Sequence, residues 1–192
     1  MEKTANNTLD RFFLDTGSTL LMIIDFQDKL CKAMDPVILS QQIGNVSILL
    51  EAATELGVPV LATEQYPAGL GETIPELKEK FQKSPLEKTS FSCCGEHAVM
   101  ERIEALDRRN IVVCGMEAHI CVLQTVLDLI GTGHNVHVVS DAVMSRKKKN
   151  WRMGLAMASA AGAVITSAET VLFQLLKRAG TPEFKKLSKL VR

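Results

Sequence analysis

Three side chains far apart in the sequence carry the chemistry of a nucleophilic hydrolysis: a carboxylate, a lysine and a thiol. Asp25 ends the apolar run LLMIID, Lys88 stands in PLEKTSFS, and Cys121 lies in NIVVCGMEAHICVLQTVLDL. A thiolate attacks carbonyl carbon, a carboxylate can take up and return a proton, and a lysine charge favours the ionised form of both groups. If the fold brings these side chains together, they predict a catalytic site.

The position of Cys121 at the start of a predicted helix distinguishes it from the other cysteines. Free backbone N–H groups and the helix dipole stabilise an anion there, so the pKa of the thiol can fall and make it a nucleophile at neutral pH. A buried cysteine is also a common core residue, and this interpretation stays open for Cys121. Cys114, inside a predicted strand, and Cys31 are interpreted as core residues.

The other candidates also have structural interpretations. Asp25 could cap the turn that follows its strand, and Lys88 could be a solvated surface residue. His119 lies two residues before Cys121, but side chains two apart in such a turn rarely point to one place, so a Cys–His pair is the weaker hypothesis. His137 lies between two valines and is interpreted as a hydrogen-bonded strand residue. No pair of histidines has a metal-ligand spacing with cysteines or carboxylates.

Apolar runs rich in β-branched residues alternate along the chain with longer amphipathic ones. These runs predict strands at 19–25, 59–63, 111–115, 136–141 and 162–166, with a sixth near 88–91. The predicted helices are 37–56, 96–109, 120–131, 147–161, 167–179 and a short one after Pro182. Strands that are apolar on both faces and alternate with helices indicate an open, doubly wound α/β sheet with parallel strands.

Ligands of such a sheet bind outside the carboxyl ends of its strands. The predicted strands end at Asp25, Glu64, Lys88, the turn from Gly115 to Cys121, and Asp141. The carboxylate, the lysine and the thiol should therefore meet at one edge of the sheet, although each comes from a different strand.

The length and composition restrict the class of protein. With 192 residues, of which 46% are hydrophobic and 23% charged, the chain is typical of one globular domain, residues 1–192, with 1–17 as an N-terminal extension. The 22 basic and 22 acidic residues balance, which argues against nucleic acid as a partner. The apolar runs are too short to cross a bilayer.

The cysteines and the N-terminal sequence predict a compartment. Five cysteines without framework spacing indicate a reducing environment. The first residues lack the apolar core of a secretory signal. We therefore expect a cytoplasmic protein; a mitochondrion or another organelle stays open.

The motifs around the three candidates resemble those of the isochorismatase-like cysteine hydrolases, in the branch of isochorismatase domain-containing proteins. The matching segments are LLMIIDFQ, ATEQYPAGLG, KTSFS, VVCGMEAHICVLQTVLDL and VHVVSDAVMSR, in this order. The resemblance implies a three-layer α/β/α fold with a six-stranded parallel, Rossmann-like sheet and a catalytic triad of Asp25, Lys88 and Cys121. It also implies a cis peptide bond between Met116 and Glu117, and an oxyanion hole formed by the backbone N–H groups of Glu117 and Cys121.

Two departures from related enzymes narrow the expected chemistry. Nicotinamidases are similar to this chain but carry an Asp-x-His metal motif after the second strand, where this chain reads Thr63-Glu64-Gln65-Tyr66. We therefore expect no metal and no cofactor, and a substrate other than nicotinamide. The isochorismatases that give the family its name hydrolyse a vinyl ether and lack the nucleophilic cysteine, so Cys121 indicates acyl chemistry.

The resemblance thus implies a C–N hydrolase acting on a small amide or a related carbonyl compound. Glu64, Gln65, Tyr66 and Phe91 are predicted to line the substrate pocket. The apolar segments 120–131 and 153–164 predict burial in the core or against another subunit, and hence a homo-oligomer, dimer or larger. Two rivals stay open: a binding or scaffold protein without turnover, and a nucleic-acid enzyme that uses the basic run 146–149.

Overall fold

A sheet of six parallel strands forms the centre of the computed structural model, which describes residues 9–191. The strands are β1 Thr19–Ile24, β2 Val60–Gln65, β3 Leu86–Lys88, β4 Asn110–Met116, β5 Asn135–Met144 and β6 Val164–Thr166. They lie in the order β3-β2-β1-β4-β5-β6, and every neighbouring pair is parallel. The chain thus adds strands first on one side of β1 and then on the other, as in a doubly wound fold.

Helices follow most of the strands. They are α1 Asp28–Lys32, α2 Pro36–Leu56, α3 Pro67–Leu70, α4 Pro75–Lys78, α5 His97–Leu106, α6 Cys121–Gly131, α7 Lys148–Ala160, α8 Ala168–Leu176 and α9 Pro182–Leu187. Short 3₁₀ turns span Asp10–Phe12 and Cys93–Gly95. No helix within residues 9–191 is long and apolar enough to span a membrane.

Two hydrophobic layers cover the sheet. All residues of β1 and of β4 are buried, as expected for strands covered on both faces. One face packs against α2 and α8, and the other packs against α5, α6 and α7. The predicted three-layer α/β/α fold with a six-stranded parallel sheet is therefore confirmed. Residues 1–8 of the predicted N-terminal extension lie outside the described residues.

Element boundaries differ from the prediction mainly near the site. The sixth strand, predicted near 88–91, is β3 and ends at Lys88. The chain cannot continue as a strand because it turns there, and the backbone carbonyl groups of Ser90 and Phe91 accept hydrogen bonds from Lys88 Nζ. Strand β5 runs to Met144, beyond its predicted end, after a register shift between Val113 and Gly115 of β4.

Candidate active site

A buried ion pair lies at the carboxyl edge of the sheet. Lys88 Nζ is 2.8 Å from Asp25 Oδ2, and neither side chain has exposed surface. The Nζ and Oδ2 atoms are close enough for an ion pair, but their geometry does not meet the criteria for a hydrogen bond. Asp25 Oδ1 accepts a hydrogen bond from Thr63 Oγ1 at 2.9 Å. Lys88 donates to Gln65 Oε1 at 2.5 Å and to the carbonyl of Phe91 at 3.1 Å. Because buried charges are costly unless paired and hydrogen-bonded, these contacts hold both groups in place.

Strand β2 explains how the pair is positioned. It lies between β1 and β3, with Thr63 beside Ile24 and Gln65 beside Lys88. Residues two apart on a strand present their side chains on the same face. One hydroxyl and one amide of β2 can therefore bind the carboxylate that follows β1 and the ammonium that ends β3. Asp25 itself adopts a left-handed conformation, with φ of 55°.

The thiol of Cys121 completes this cluster. Cys121 is the first residue of α6, is 6% exposed and lies within hydrogen-bonding reach of the Asp25 carboxyl group. Burial, and then the negative charge of Asp25, raise the pKa of the Cys121 thiol to about 12, although Lys88 acts in the opposite direction. The expectation of a thiol pKa lowered by the helix N-terminus is therefore wrong: the resting thiol carries its proton.

Burial also shifts the pKa values of the two charged residues, Asp25 and Lys88. Burial raises the pKa of Asp25, and the attraction of Lys88 only partly offsets that effect. For Lys88, burial alone would lower the pKa, but the negative charge of Asp25 acts in the opposite direction, and the pKa lies above its ordinary value. Lys88 therefore stays protonated at neutral pH and supplies a fixed positive charge to the cluster.

The turn between β4 and α6 presents two backbone donors beside the thiol. The peptide bond between Met116 and Glu117 is cis. Within residues 9–191, the backbone N–H groups of Glu117 and Cys121 donate to no acceptor, whereas that of Ala118 donates to Met144. The Glu117 carboxylate is buried and accepts two hydrogen bonds from Arg146, at 2.9 and 3.0 Å. This ion pair ties the turn to the end of β5.

The four predicted pocket residues divide into three groups. Gln65 contacts the ion pair through Lys88. Glu64 is buried on the other face of β2, where its carboxylate accepts hydrogen bonds from Thr73. Tyr66 and Phe91 are 58% and 56% exposed, so their rings are available at the surface.

The histidines take no part in the cluster. His119 makes hydrogen bonds with Ser145 and Asn150, both at 3.0 Å, so the weaker hypothesis of a Cys–His pair is wrong. His137 is a buried strand residue as interpreted, but its ring nitrogens make no hydrogen bond of ordinary geometry with the described residues, contrary to expectation. Within residues 9–191, no group of three or more His, Cys, Asp or Glu side chains is arranged to hold a metal.

Two residues of the cluster were not predicted from the sequence. Thr63 binds Asp25, and its spacing from Gln65 on β2 was the available signal. Cys93 is fully buried, with Sγ 3.8 Å from Thr63 Oγ1, and burial followed by the charge of Asp25 raises the pKa of its thiol to about 12. No sequence spacing links Cys93 to the site, because it arrives there through the 3₁₀ turn after β3.

Known proteins share this arrangement of the chain. The family model described as the isochorismatase domain matches residues 19–170. Isochorismatase domain-containing protein 2 of Xenopus laevis is 38% identical over 178 residues, which cover 93% of this chain and 85% of that protein. These matches confirm the resemblance inferred from the motifs.

Solved structures extend the comparison. The structure of MAR1 ribonuclease from Caenorhabditis elegans matches with a TM-score of 0.86 and 34% identity, covering 93% of this chain and 92% of that one. The YcaC gene product of Escherichia coli, described as an octameric hydrolase of unknown specificity, matches with a TM-score of 0.85 and 21% identity, covering 93% and 90%. The latter match shows a shared fold.

Proposed function

The chain belongs to the isochorismatase family, and on that premise we propose that it is a cysteine hydrolase that cleaves a small amide or a related carbonyl compound. The observation that carries the proposal is the meeting of the Cys121 thiol with the buried pair of Asp25 and Lys88. In and after the adjacent turn, the backbone N–H groups of Glu117 and Cys121 donate to no acceptor in the described part of the chain.

The first step forms a thioester. Because the resting thiol is protonated, Asp25 takes its proton as Cys121 Sγ attacks the carbonyl carbon. The backbone N–H groups of Glu117 and Cys121 donate to the oxyanion of the tetrahedral intermediate. Asp25 then returns the proton to the leaving amine as the C–N bond breaks.

The second step releases the acyl group. Asp25, again a carboxylate, takes a proton from water as the water oxygen attacks the thioester carbon, and the thiolate leaves and is reprotonated. Lys88 holds the Asp25 carboxylate in position and balances its charge throughout. Gln65, Tyr66 and Phe91 are the proposed pocket residues; Glu64 has its carboxylate committed to Thr73.

The activity test compares two cysteines in a screen of small amides and carbamoyl compounds. We expect product release by the native protein and by Cys94→Ala, whose thiol lies outside the cluster. In Cys121→Ala, the rate should fall at least 100-fold, on the scale of losing a catalytic nucleophile. Mass spectrometry of the native protein stopped during turnover should find the acyl group on Cys121. Unchanged turnover in Cys121→Ala would refute the mechanism.

A second candidate function is cleavage of RNA. It is favoured by the similarity to a structure described as a ribonuclease and by the exposed basic run 146–149. Binding of RNA that weakens steeply with added salt, together with RNA cleavage that survives Cys121→Ala, would support this candidate over the amidase. A scaffold protein without turnover would show neither activity.

We also propose the compartment, the cofactor requirement and the oligomeric state of the enzyme. Its five cysteines are all free thiols in the structure, which supports a reducing compartment such as the cytoplasm. We propose that the reaction needs neither metal nor other cofactor, and that the protein is a homo-oligomer, as the octameric description of the Escherichia coli relative suggests.

A further inference from the structure

Thr63 holds Asp25 through two contacts. Its backbone carbonyl accepts a hydrogen bond from the Asp25 N–H at 3.2 Å, and its hydroxyl donates to Asp25 Oδ1 at 2.9 Å. Both residues are buried, and the left-handed conformation of Asp25 is one that non-glycine residues seldom adopt. The other carboxylate oxygen, Oδ2, accepts no hydrogen bond of ordinary geometry from the described residues, although Lys88 Nζ lies 2.8 Å away. Thr63 thus occupies one oxygen of the carboxylate and leaves the other free to accept a proton.

A second thiol controls the orientation of the Thr63 hydroxyl. Cys93 is fully buried, and its Sγ lies 3.8 Å from Thr63 Oγ1. A hydroxyl has one proton to donate, and that of Thr63 goes to Asp25, so in the contact with Cys93 the thiol must be the donor. Burial raises the pKa of the Cys93 thiol to about 12, so the thiol keeps the proton that this contact needs.

The chain of contacts leads back to the helix that carries the nucleophile. The backbone N–H of Cys93 donates to Thr125 Oγ1 at 2.9 Å. Thr125 is fully buried and lies one turn after Cys121 on α6, so the two side chains share a face of the helix. The contacts from Thr125 through Cys93 and Thr63 therefore connect α6 to Asp25, and they fix the carboxylate relative to the thiol.

We propose that Thr63 is a positioning residue of the hydrolysis, and that it makes Oδ2 of Asp25 the oxygen that takes and returns the proton. As Cys121 Sγ attacks, its S–H bond breaks and an O–H bond forms at Oδ2. The Thr63 proton stays on its own oxygen and continues to bind Oδ1. Cys93 acts on Asp25 only through Thr63. This inference rests on the proposed hydrolase function and deepens it.

The contact with Thr63 has an electrostatic consequence for Asp25. The titratable groups that face its carboxylate are Lys88 from β3, Cys121 from α6 and Cys93 from the turn after β3. Burial raises the pKa of Asp25, whereas Lys88 and then the hydrogen bond from Thr63 act to lower it. A hydrogen bond donated to a carboxylate favours the ionised form, so loss of the Thr63 hydroxyl should raise the pKa of Asp25 further.

The kinetic test removes this hydroxyl and keeps the shape of the side chain. In Thr63→Val, the acid limb of the kcat/KM pH profile, which reports the base of the free enzyme, should move to higher pH by about one unit. On the plateau, kcat should fall about tenfold, the effect of losing one charge-assisted hydrogen bond, and KM should stay unchanged. Thr63→Ser restores the hydroxyl and should recover the native profile. A native profile in Thr63→Val would overturn the proposal.

A threonine at the opposite edge of the sheet provides the matched control. Thr19 begins β1, is fully buried, and its hydroxyl makes no hydrogen bond with the described residues. Thr19→Val is the same chemical change and should keep the native pH profile. Equal shifts of the acid limb in Thr19→Val and Thr63→Val would indicate a general effect on the fold and overturn the assignment of Thr63.

A double variant tests the order of the chain. Cys93→Ala should lower kcat, but it should add no further effect in the Thr63→Val background, because Cys93 acts through the hydroxyl that is already absent. A further shift of the acid limb in the double variant would show that Cys93 acts on Asp25 directly, and it would overturn the role given to Cys93.

A titration without substrate separates this inference from the hydrolase proposal. The carboxyl carbon of Asp25, followed by ¹³C NMR and assigned with Asp25→Asn, should titrate about one pH unit higher in Thr63→Val than in the native protein. Absence of Cys121-dependent turnover in the native protein would refute the hydrolase proposal, whereas an equal titration midpoint in the two proteins would overturn the role of Thr63 whether or not an amide is hydrolysed. If Thr63→Val does not fold, as judged by circular dichroism, Thr63→Ala takes its place in both measurements.

Discussion

At the scale of single residues, opposing charges control the ionisation of the Cys121 thiol. A thiol next to a carboxylate resists ionisation, and burial of Cys121 adds to that resistance. Lys88 is the opposing influence, since its charge lowers the pKa of Cys121 and also keeps Asp25 paired. The proton is thus held on sulfur at rest and has a base within reach when a substrate arrives.

Removing this charge should slow the thiol. In Lys88→Met, the pKa of Cys121 should rise further, since an opposite charge nearby is worth about 1–3 pKa units. At a fixed pH near 8, alkylation of Cys121 by iodoacetamide should slow about tenfold or more. The measurement is the pH profile of labelling, read by peptide mass spectrometry. Lys83→Met, at an exposed lysine before β3, should label at the native rate.

The substitution Lys88→Met should also destabilise the fold, because it leaves Asp25 without its partner. Loss of Lys88 leaves a buried carboxylate unpaired, which should lower the free energy of unfolding by about 3–5 kcal/mol. The double variant Asp25→Asn/Lys88→Met should recover part of this loss in urea denaturation.

For the labelling experiment, alkylation of Cys121 at the native rate in folded Lys88→Met would show that Lys88 does not control the ionisation of the thiol.

The meeting of the three side chains of the candidate site was predictable, but its energetics were not. Asp25, Lys88 and Cys121 were identified because parallel strands bring their carboxyl ends to one edge. The direction of the pKa shift of Cys121 was missed, because it depends on how deeply α6 buries its first turn. That depth depends on packing between distant segments and has no signature in the local sequence.

At the scale of elements, α7 supports the turn that carries the proposed oxyanion donors. A Cβ placed on Gly154 would lie 2.6 Å from the backbone oxygen of Ala118 and 3.0 Å from the Cα of His119. Only glycine permits this close approach of helix to turn. The position of α7 therefore helps to set the backbone between Glu117 and Cys121.

A pair of glycine substitutions tests this support. Gly154→Ala should cost about 1–3 kcal/mol of stability through overpacking, and should lower the rate of amide hydrolysis because the turn must shift. Gly44→Ala is the control, since a Cβ there meets nothing within 4 Å in the middle of α2. It should stabilise the protein by about 0.5–1 kcal/mol and leave the rate unchanged. Urea denaturation and steady-state kinetics measure the two effects, and a neutral Gly154→Ala would contradict the inferred contact.

The elements with strong end signals were predicted closely. Helix α2 begins at Pro36 after the Asp35 cap and ends before Gly57, which has a φ of 68°. Helices α1, α3 and α4, of 5, 4 and 4 residues, were missed, because so few residues show no helical periodicity. Their positions are set by contacts with neighbouring segments, as when Gln27 bonds the backbone of Gln65 and Gly71.

At the scale of the whole molecule, α7 also leaves apolar surface uncovered. Met153 and Met157 are 53% and 47% exposed, and four-residue spacing puts them on one face of the helix. We predict a homo-oligomer with this face in an interface. Light scattering at micromolar concentration should give a mass of at least twice 21.0 kDa. The double variant Met153→Lys/Met157→Lys should lower the mass, whereas Val37→Lys, on exposed α2 surface, should not. A monomeric native protein would refute the prediction.

The stability of the molecule should also depend on His137, which is fully buried on β5. Burial lowers its pKa to about 4, and the nearby backbone of Arg11 offsets only part of that effect. In the unfolded chain the pKa is about 6.5. Between these values the unfolded state binds a proton that the folded state excludes, so stability falls as the pH decreases from about 6.5 to about 4.

The decrease attributable to His137 should reach about 2 kcal/mol at pH 5 and about 3 kcal/mol below pH 4, since one pKa unit corresponds to about 1.4 kcal/mol. Urea denaturation at a series of pH values should show a flatter dependence for His137→Gln than for the native protein, whatever its stability at pH 7. His97→Gln is the control, because the side chain of His97 is 86% exposed. It should keep the native slope. Parallel curves for the native protein and His137→Gln would mean that the folded protein accepts a proton at His137 as readily as the unfolded chain does.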